Sequence, residues 1–133
     1  MLVYDKDAII EVTKEFTFDS CHQLLGYEGA CKRLHGHTYK LQVTFRGTVN
    51  EIGMVIDFKE IKETVKAFLL DDLDHYNLNE KLPFNTTAEN MVVWIYDFLS
   101  HECNTDSVRV SCVTLWETPT SYATYRGESV CSL

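Results

Sequence analysis

The clearest periodicity in the chain lies over residues 37–48. Tyr39, Leu41, Val43 and Phe45 alternate with Lys40, Gln42, Thr44 and Arg46. A period of two places the two sets on opposite faces of a half-buried strand. Residues 9–18 alternate less cleanly, with Ile10, Val12, Phe16 and Phe18 on one side and Lys14 interrupting them. A third run, Val108, Val110, Cys112, Thr114 and Trp116, predicts a strand over 107–117 with Cys112 as core filler. Thr118-Pro119-Thr120 turns the chain, and residues 121–128 return as a fourth strand. Met54-Val55-Ile56 is expected to extend the sheet briefly.

Between the strand pairs the period becomes helical. Asp57 stands as an N-cap, with Glu60 three residues on and Phe58, Ile61, Val65, Phe68 and Leu69 at helical spacing. Thr86 and Glu89 repeat the capping-box pattern ahead of Met91, Trp94, Ile95, Phe98 and Leu99, a stripe that reads as core. The order ββααββ predicts an α+β fold, a four-stranded antiparallel sheet with both helices on one face. The length suits a single domain over residues 1–133. Two open sheet edges would remain for association to cover.

Charge and cysteine usage narrow the function. Twelve basic against 20 acidic residues give a net charge of −8, which excludes a chain-wide nucleic-acid role. No apolar run reaches the roughly 18 residues a membrane span needs. Residues 1–7 lack the basic start and apolar stretch of a signal peptide, so the cytoplasm is the expected compartment. The five cysteines are odd in number and irregular in spacing, which argues for free thiols.

The chemistry concentrates in Cys31-Lys32-Arg33-Leu34-His35-Gly36-His37, with His22 upstream. In extended backbone His35 and His37 project from one face and can reach one ion, and a hairpin brings His22 to the same place. Three neutral imidazoles on a tetrahedral ion leave one position open, as in a catalytic zinc site, although other divalent metals also accept imidazole. A closed structural site using Cys31 as fourth ligand is a second reading left open by the same spacing. Outside such a site Cys31, beside Lys32 and Arg33, suits a general base or nucleophile. Asp74-His75 reads either as a polarised imidazole or as a solvated turn. Glu117 alone is a strand-end carboxylate, and Thr86 and Thr87 alone are helix caps. His101 is read as a helix C-terminal charge.

Taken together, these elements resemble the 6-pyruvoyltetrahydropterin synthase and 6-carboxytetrahydropterin synthase family. The resemblance runs from about residue 16 to residue 128, through Phe18-Asp19-Ser20-Cys21-His22, Cys31-x3-His35-Gly36-His37, Val55-Ile56-Asp57-Phe58, Leu73-Asp74-His75-x2-Leu78-Asn79, Thr87-Ala88-Glu89-Asn90 and Glu117-Thr118-Pro119-Thr120-Ser121-Tyr122. It implies the tunnelling fold, in which trimers close their sheets into a barrel and stack as a homohexamer with active sites between subunits. It implies His22, His35 and His37 as ligands of Zn2+ and Cys31, Asp74 and His75 as catalytic residues. Glu117 then anchors the pterin ring, and Thr86 and Thr87 help line the pocket. Where bacterial relatives often carry Pro, this chain has Thr86, which is expected still to cap the helix.

The implied substrate is 7,8-dihydroneopterin triphosphate. One branch of the family eliminates triphosphate to give 6-pyruvoyltetrahydropterin. The other also releases acetaldehyde and leaves 6-carboxytetrahydropterin, on the way to queuosine. The Glu117–Tyr122 segment, Tyr125-Arg126-Gly127 and the compact loop between His22 and Cys31 resemble the carboxy-forming branch. Lys32, Arg33 and Arg126 are candidates to offset the substrate's charge. A non-catalytic, metal-stabilised pterin-binding module is the reading from another class.

Overall fold

A computed structural model describes residues 4–131, apart from the side chain of Phe68. Four strands form one antiparallel sheet in the order β1-β2-β3-β4: β1 (Ile10–His22), β2 (His35–Gly47), β3 (Val108–Thr118) and β4 (Ser121–Tyr125). Between β2 and β3 come α1 (Phe58–Val65), α2 (Asp71–Leu73), α3 (Leu78–Lys81) and α4 (Ala88–Cys103). The alternation of β2 is realised in full, since Tyr39, Leu41, Val43 and Phe45 are all buried. They meet Ile61, Val65 and Leu69 of the first helical stretch and Met91, Ile95 and Leu99 of α4. The core thus lies between one sheet face and the helices, as the pattern predicts. No helix among the described residues is long and apolar enough to cross a membrane.

β1 runs four residues beyond the alternation that marks it. Its inward row continues from Phe18 through Ser20 to His22, and Ser20 pairs with His37 and His22 with His35. This extension carries the first histidine to the other two. The interrupting Lys14 keeps its row, with Nζ 5.8 Å from the Phe16 ring, so its stem covers apolar surface while its charge reaches outward.

Several sequence expectations need correction. The inward row of β3 is Val108, Val110, Val113 and Leu115, not an unbroken alternation through Cys112 and Trp116. The register with β2 shifts between Thr44 and Phe45, so Ser111 is an extra residue and every later side chain changes face. The Ser111 hydroxyl donates to the Thr44 carbonyl at 3.3 Å, satisfying an acceptor at the bulge. Cys112 is therefore only half-buried, on the helix-free face.

Met54–Ile56 adds no strand. The Asn50 side chain accepts from the N–H groups of Ile52 and Met54 at 3.1 and 3.0 Å and curls the segment into a turn, leaving Val55 to plug the core. The Asp57 cap is as expected, accepting from Lys59 N at 2.9 Å. The first helix widens into a π-helical turn over Lys66–Leu70. The Phe68 side chain, expected on its apolar face, lies outside the described residues. The cap of α4 is Thr87, which accepts from Asn90 N at 3.1 Å. Thr86, expected in that place, is fully buried and turned to another use.

Candidate functional site

At one end of the sheet the inward rows of β1, β2 and β3 terminate in polar side chains. His22, His35, His37 and Glu117 each offer a ligand atom, all within 4.8 Å of one another. The three imidazole centroids lie 4.7 to 5.1 Å apart, edge to face. His22 Nε2 is 3.1 Å from both His35 Nε2 and Glu117 Oε1, and His37 Nε2 is 3.2 Å from the same carboxylate oxygen.

The opposite nitrogens are tied to the backbone. His22 Nδ1 lies 2.9 Å from the Thr86 carbonyl and 3.1 Å from its hydroxyl, with the Tyr39 hydroxyl at 3.4 Å. His35 Nδ1 lies 2.7 Å from the Arg33 carbonyl. A carbonyl only accepts, so in both rings Nδ1 is the donor to it and Nε2 faces the cluster. His22 is inaccessible to solvent, and Tyr39 beneath it has its phenol pushed up by burial, then by Glu117 and Cys21.

Burial is the largest influence on His37 and lowers its pKa; Glu117 acts in the opposite sense, and His22 and His35 add to the lowering. The ring is therefore held toward the neutral form a ligand needs. Its Nε2 is buried without a hydrogen-bond partner, because the nearby Glu117 oxygen is poorly aligned. Glu117 is held below the usual carboxylate range by its hydrogen bond from His22, then by the neighbouring imidazoles. Two nitrogens on a tetrahedral ion at about 2.05 Å stand about 3.3 Å apart. The 3.1 Å between His22 and His35, the orphaned His37 nitrogen and the two anchored Nδ1 atoms fit a bound divalent cation.

The Cys31 sulfur is not among these donors. Cys31 lies half-buried in the short 3₁₀ turn Ala30–Lys32, its carbonyl accepting from Leu24 N at 3.0 Å. The donor group the fold assembles holds the Glu117 carboxylate beside the three histidines, and not Cys31.

Asp74 and His75 form a second group, with Asp19, within 4.8 Å. Adjacent side chains seldom face each other, but His75 has φ +64°, a left-handed residue that turns its ring back on its neighbour. Nδ1 then lies 3.0 Å from Asp74 Oδ1. The same carboxylate accepts from Asp19 N at 2.9 Å, and His75 N donates to Asp19 O at 2.5 Å. Ser20 Oγ donates to the Leu73 carbonyl and Cys21 N to Tyr76 O, so residues 73–77 are stitched along the free edge of β1. The Asp74 carboxyl is lowered chiefly by the Asp19 backbone N–H, with His75 assisting.

His37 stands between two clefts of about 500 Å³ each. One is lined by Lys40, Trp116, Glu117 and Pro119, the other by Asp19, Cys21, His75 and Tyr76. Gly36, His37 and Thr38 border both. The structure therefore brings His22, His35, His37 and Glu117 together and sets His75 across the second cleft from His37. Thr86 lies behind His22, with Thr87 half-buried at the helix cap.

Sequence reasoning missed Asn85 and the pairing role of Asn79. Asn79 accepts from Gln23 N at 2.8 Å and donates to Gln23 O at 2.9 Å; Asn85 does the same for Leu25 at 2.9 and 3.0 Å. These side chains replace the strand that the segment after His22 lacks. Asn79 in α3 and Asn85 ahead of α4 carry no spacing signal for this pairing role.

Residues 11–128 match the family described as 6-pyruvoyl tetrahydropterin synthase. The chain is 38% identical to the 6-carboxy-5,6,7,8-tetrahydropterin synthase of Haemophilus influenzae, over 89% of this chain and 99% of that one. It is 35% identical to the 6-pyruvoyl tetrahydrobiopterin synthase of Dictyostelium discoideum, over 88% and 96%. The solved structure of the Caenorhabditis elegans 6-pyruvoyl tetrahydropterin synthase superposes with a TM-score of 0.82 at 27% identity, covering 94% of this chain and all of that one.

Proposed function

The chain belongs to the 6-pyruvoyl tetrahydropterin synthase family, and on that premise we propose that it is a Zn2+-dependent lyase converting 7,8-dihydroneopterin triphosphate to 6-carboxy-5,6,7,8-tetrahydropterin, acetaldehyde and triphosphate. The observation that carries the reading is His37 between two clefts, one ending on Glu117 and the other on the Asp74–His75 pair. His22, His35 and His37 would hold the Zn2+, which when bound supplies Lewis acidity toward the substrate's side-chain oxygens. Identity of 38% to the Haemophilus influenzae relative named for the carboxy product, against 35% to the Dictyostelium discoideum relative named for the pyruvoyl product, supports that branch and with it a place in queuosine biosynthesis. The five free cysteines suit the cytoplasm.

The chain's own residues divide the work. Glu117, ionised because His22 holds its carboxyl low, accepts the paired N–H groups of the pterin ring. Thr87, half-buried at the α4 cap, helps line the pocket. Thr86 orients His22 from behind, a positioning role in place of direct substrate contact. Asp74 binds one nitrogen of His75 and leaves the other free to take or give a proton at the substrate side chain. Cys31 supplies the second proton-transfer group. It reaches the reacting atoms when three copies join sheet edges into a barrel and two barrels stack as a homohexamer, with the site between subunits. One domain spans residues 1–133.

Incubation of the zinc-loaded protein with 7,8-dihydroneopterin triphosphate, with products identified by mass spectrometry, tests the reading. Carboxytetrahydropterin and acetaldehyde are expected. Pyruvoyltetrahydropterin alone would move the protein to the other branch, and no turnover would leave a pterin-binding module.

A further inference from the structure

We propose that the polar cleft between the outer residues of β1, β2 and β3 and the segment after β4, which Tyr96 of α4 also lines, binds a multiply charged phosphate oxyanion at a site separate from the histidine cluster. The cleft encloses about 660 Å³ and is lined by Arg46 of β2, Arg109 of β3 and Arg126 just after β4, with the hydroxyls of Thr13, Thr44 and Ser111. Arg46 and Arg109 are direct cross-strand partners, so both guanidinium groups stand on the same side of the sheet. Like charges at opposed positions destabilise a strand pair unless a counter-charge joins them. Among the described residues no carboxylate lies within 4.0 Å of any of the three guanidinium groups. Glu11, opposite Arg46 on β1, and Glu128 also line the cleft, and neither pairs with an arginine. In a chain of net charge −8, three arginines without ion pairs in one cleft stand out from the background.

The third arginine is placed by packing. Tyr96 of α4 donates its hydroxyl to the Val110 carbonyl at 3.1 Å. Gly127 follows Arg126 with φ +78°, and a Cβ there would lie 2.5 Å from the Tyr96 hydroxyl. Only glycine lets the chain lie against Tyr96 at this point, which holds Arg126 at the cleft mouth. Guanidinium forks match phosphate oxygens two at a time. The Ser111 hydroxyl is already given to the Thr44 carbonyl, and Thr13 and Thr44 share a hydrogen bond at 2.8 Å, which leaves one hydroxyl proton of that pair for a ligand. The acidic whole disfavours a long polyanion such as nucleic acid, so a short phosphate chain is the ligand that fits. Arg46 lies nine residues along β2 from His37, about 30 Å at the rise of a strand, so the site is independent of the proposed catalysis.

Titration calorimetry of the metal-loaded protein with orthophosphate, pyrophosphate and triphosphate, at about 0.15 M salt, tests this. Saturable binding that tightens with phosphate number is expected. Arg46→Gln/Arg109→Gln should weaken triphosphate binding at least about tenfold, with metal content and the circular dichroism spectrum unchanged. His37→Ala should leave binding intact. If the double variant does not fold, Arg126→Gln, at an exposed position, serves instead. The proposal is overturned if triphosphate shows no saturation by about 5 mM, if the arginine variants bind as the parent does, or if His37→Ala abolishes binding.

Discussion

Replacing Glu117 by Gln separates two roles that the geometry allows one carboxylate. Oε1 lies 3.1 Å from His22 Nε2 and 3.2 Å from His37 Nε2, close to the spacing of about 3.3 Å expected between ligands of a tetrahedral zinc. It could therefore close the metal site or stay free for a pterin. The proposed function needs it free. Glutamine keeps the shape and one acceptor but loses the charge. Two charge-assisted hydrogen bonds at about 1.5–3 kcal/mol each contribute about 3–6 kcal/mol, and the amide recovers about 1–2 of that. The net loss of about 2–4 kcal/mol corresponds to about a 30- to 900-fold fall in kcat/KM. Zinc should remain at one equivalent per chain after gel filtration, measured by plasma mass spectrometry alongside the kinetics. A variant holding less than about half an equivalent would make Glu117 a ligand and refute its assignment to the pterin ring.

Other outcomes follow from the same geometry. Cys31→Ala should lose turnover by about a hundredfold or more and keep its metal, because the thiol lies outside the donor group; loss of metal in a chelator competition would reverse that assignment. Thr86→Val removes the hydroxyl 3.1 Å from His22 Nδ1 and leaves the carbonyl, so zinc affinity should fall by about tenfold. An unchanged zinc affinity would remove the Thr86 hydroxyl from the support of His22. Asp74 titrates low in the fold, so its stabilisation is complete above the unfolded value of about 3.9 and disappears as pH falls through the lower folded value. Asp74→Asn should accordingly melt below the parent at pH 7 and equal it in strong acid; a difference persisting in acid would mean the carboxylate's charge is not the stabilising element.

Much of the fold was legible in local pattern. The alternation of residues 39–45 and the helical stripe ending at Leu99 report which side of each element is apolar, and that needs only the geometry of a single element. The spacing of His35 and His37 likewise places both rings on one strand face without knowledge of a partner. Where the reading failed, a second element intervened. The Ser111 bulge exists because β3 must pair with β2, and it reverses the facing of Cys112 and Trp116 although their own alternation is unbroken. Thr86 and Thr87 are chemically equal as caps; packing against His22 buries one and leaves the other to cap α4.

The site divides along the same line. Residue types and spacing along the chain determined that three histidines could share an ion, because a strand's repeat is short and rigid. Glu117, 80 residues after His37, joins them only because β3 lies beside β2 in one register. Asp74 and His75 pair only because β1's free edge holds residues 73–77 in a turn that gives His75 a left-handed backbone. Tertiary structure decided these contacts because the free energy that sets them comes from burying distant surfaces together, which no local window of sequence contains.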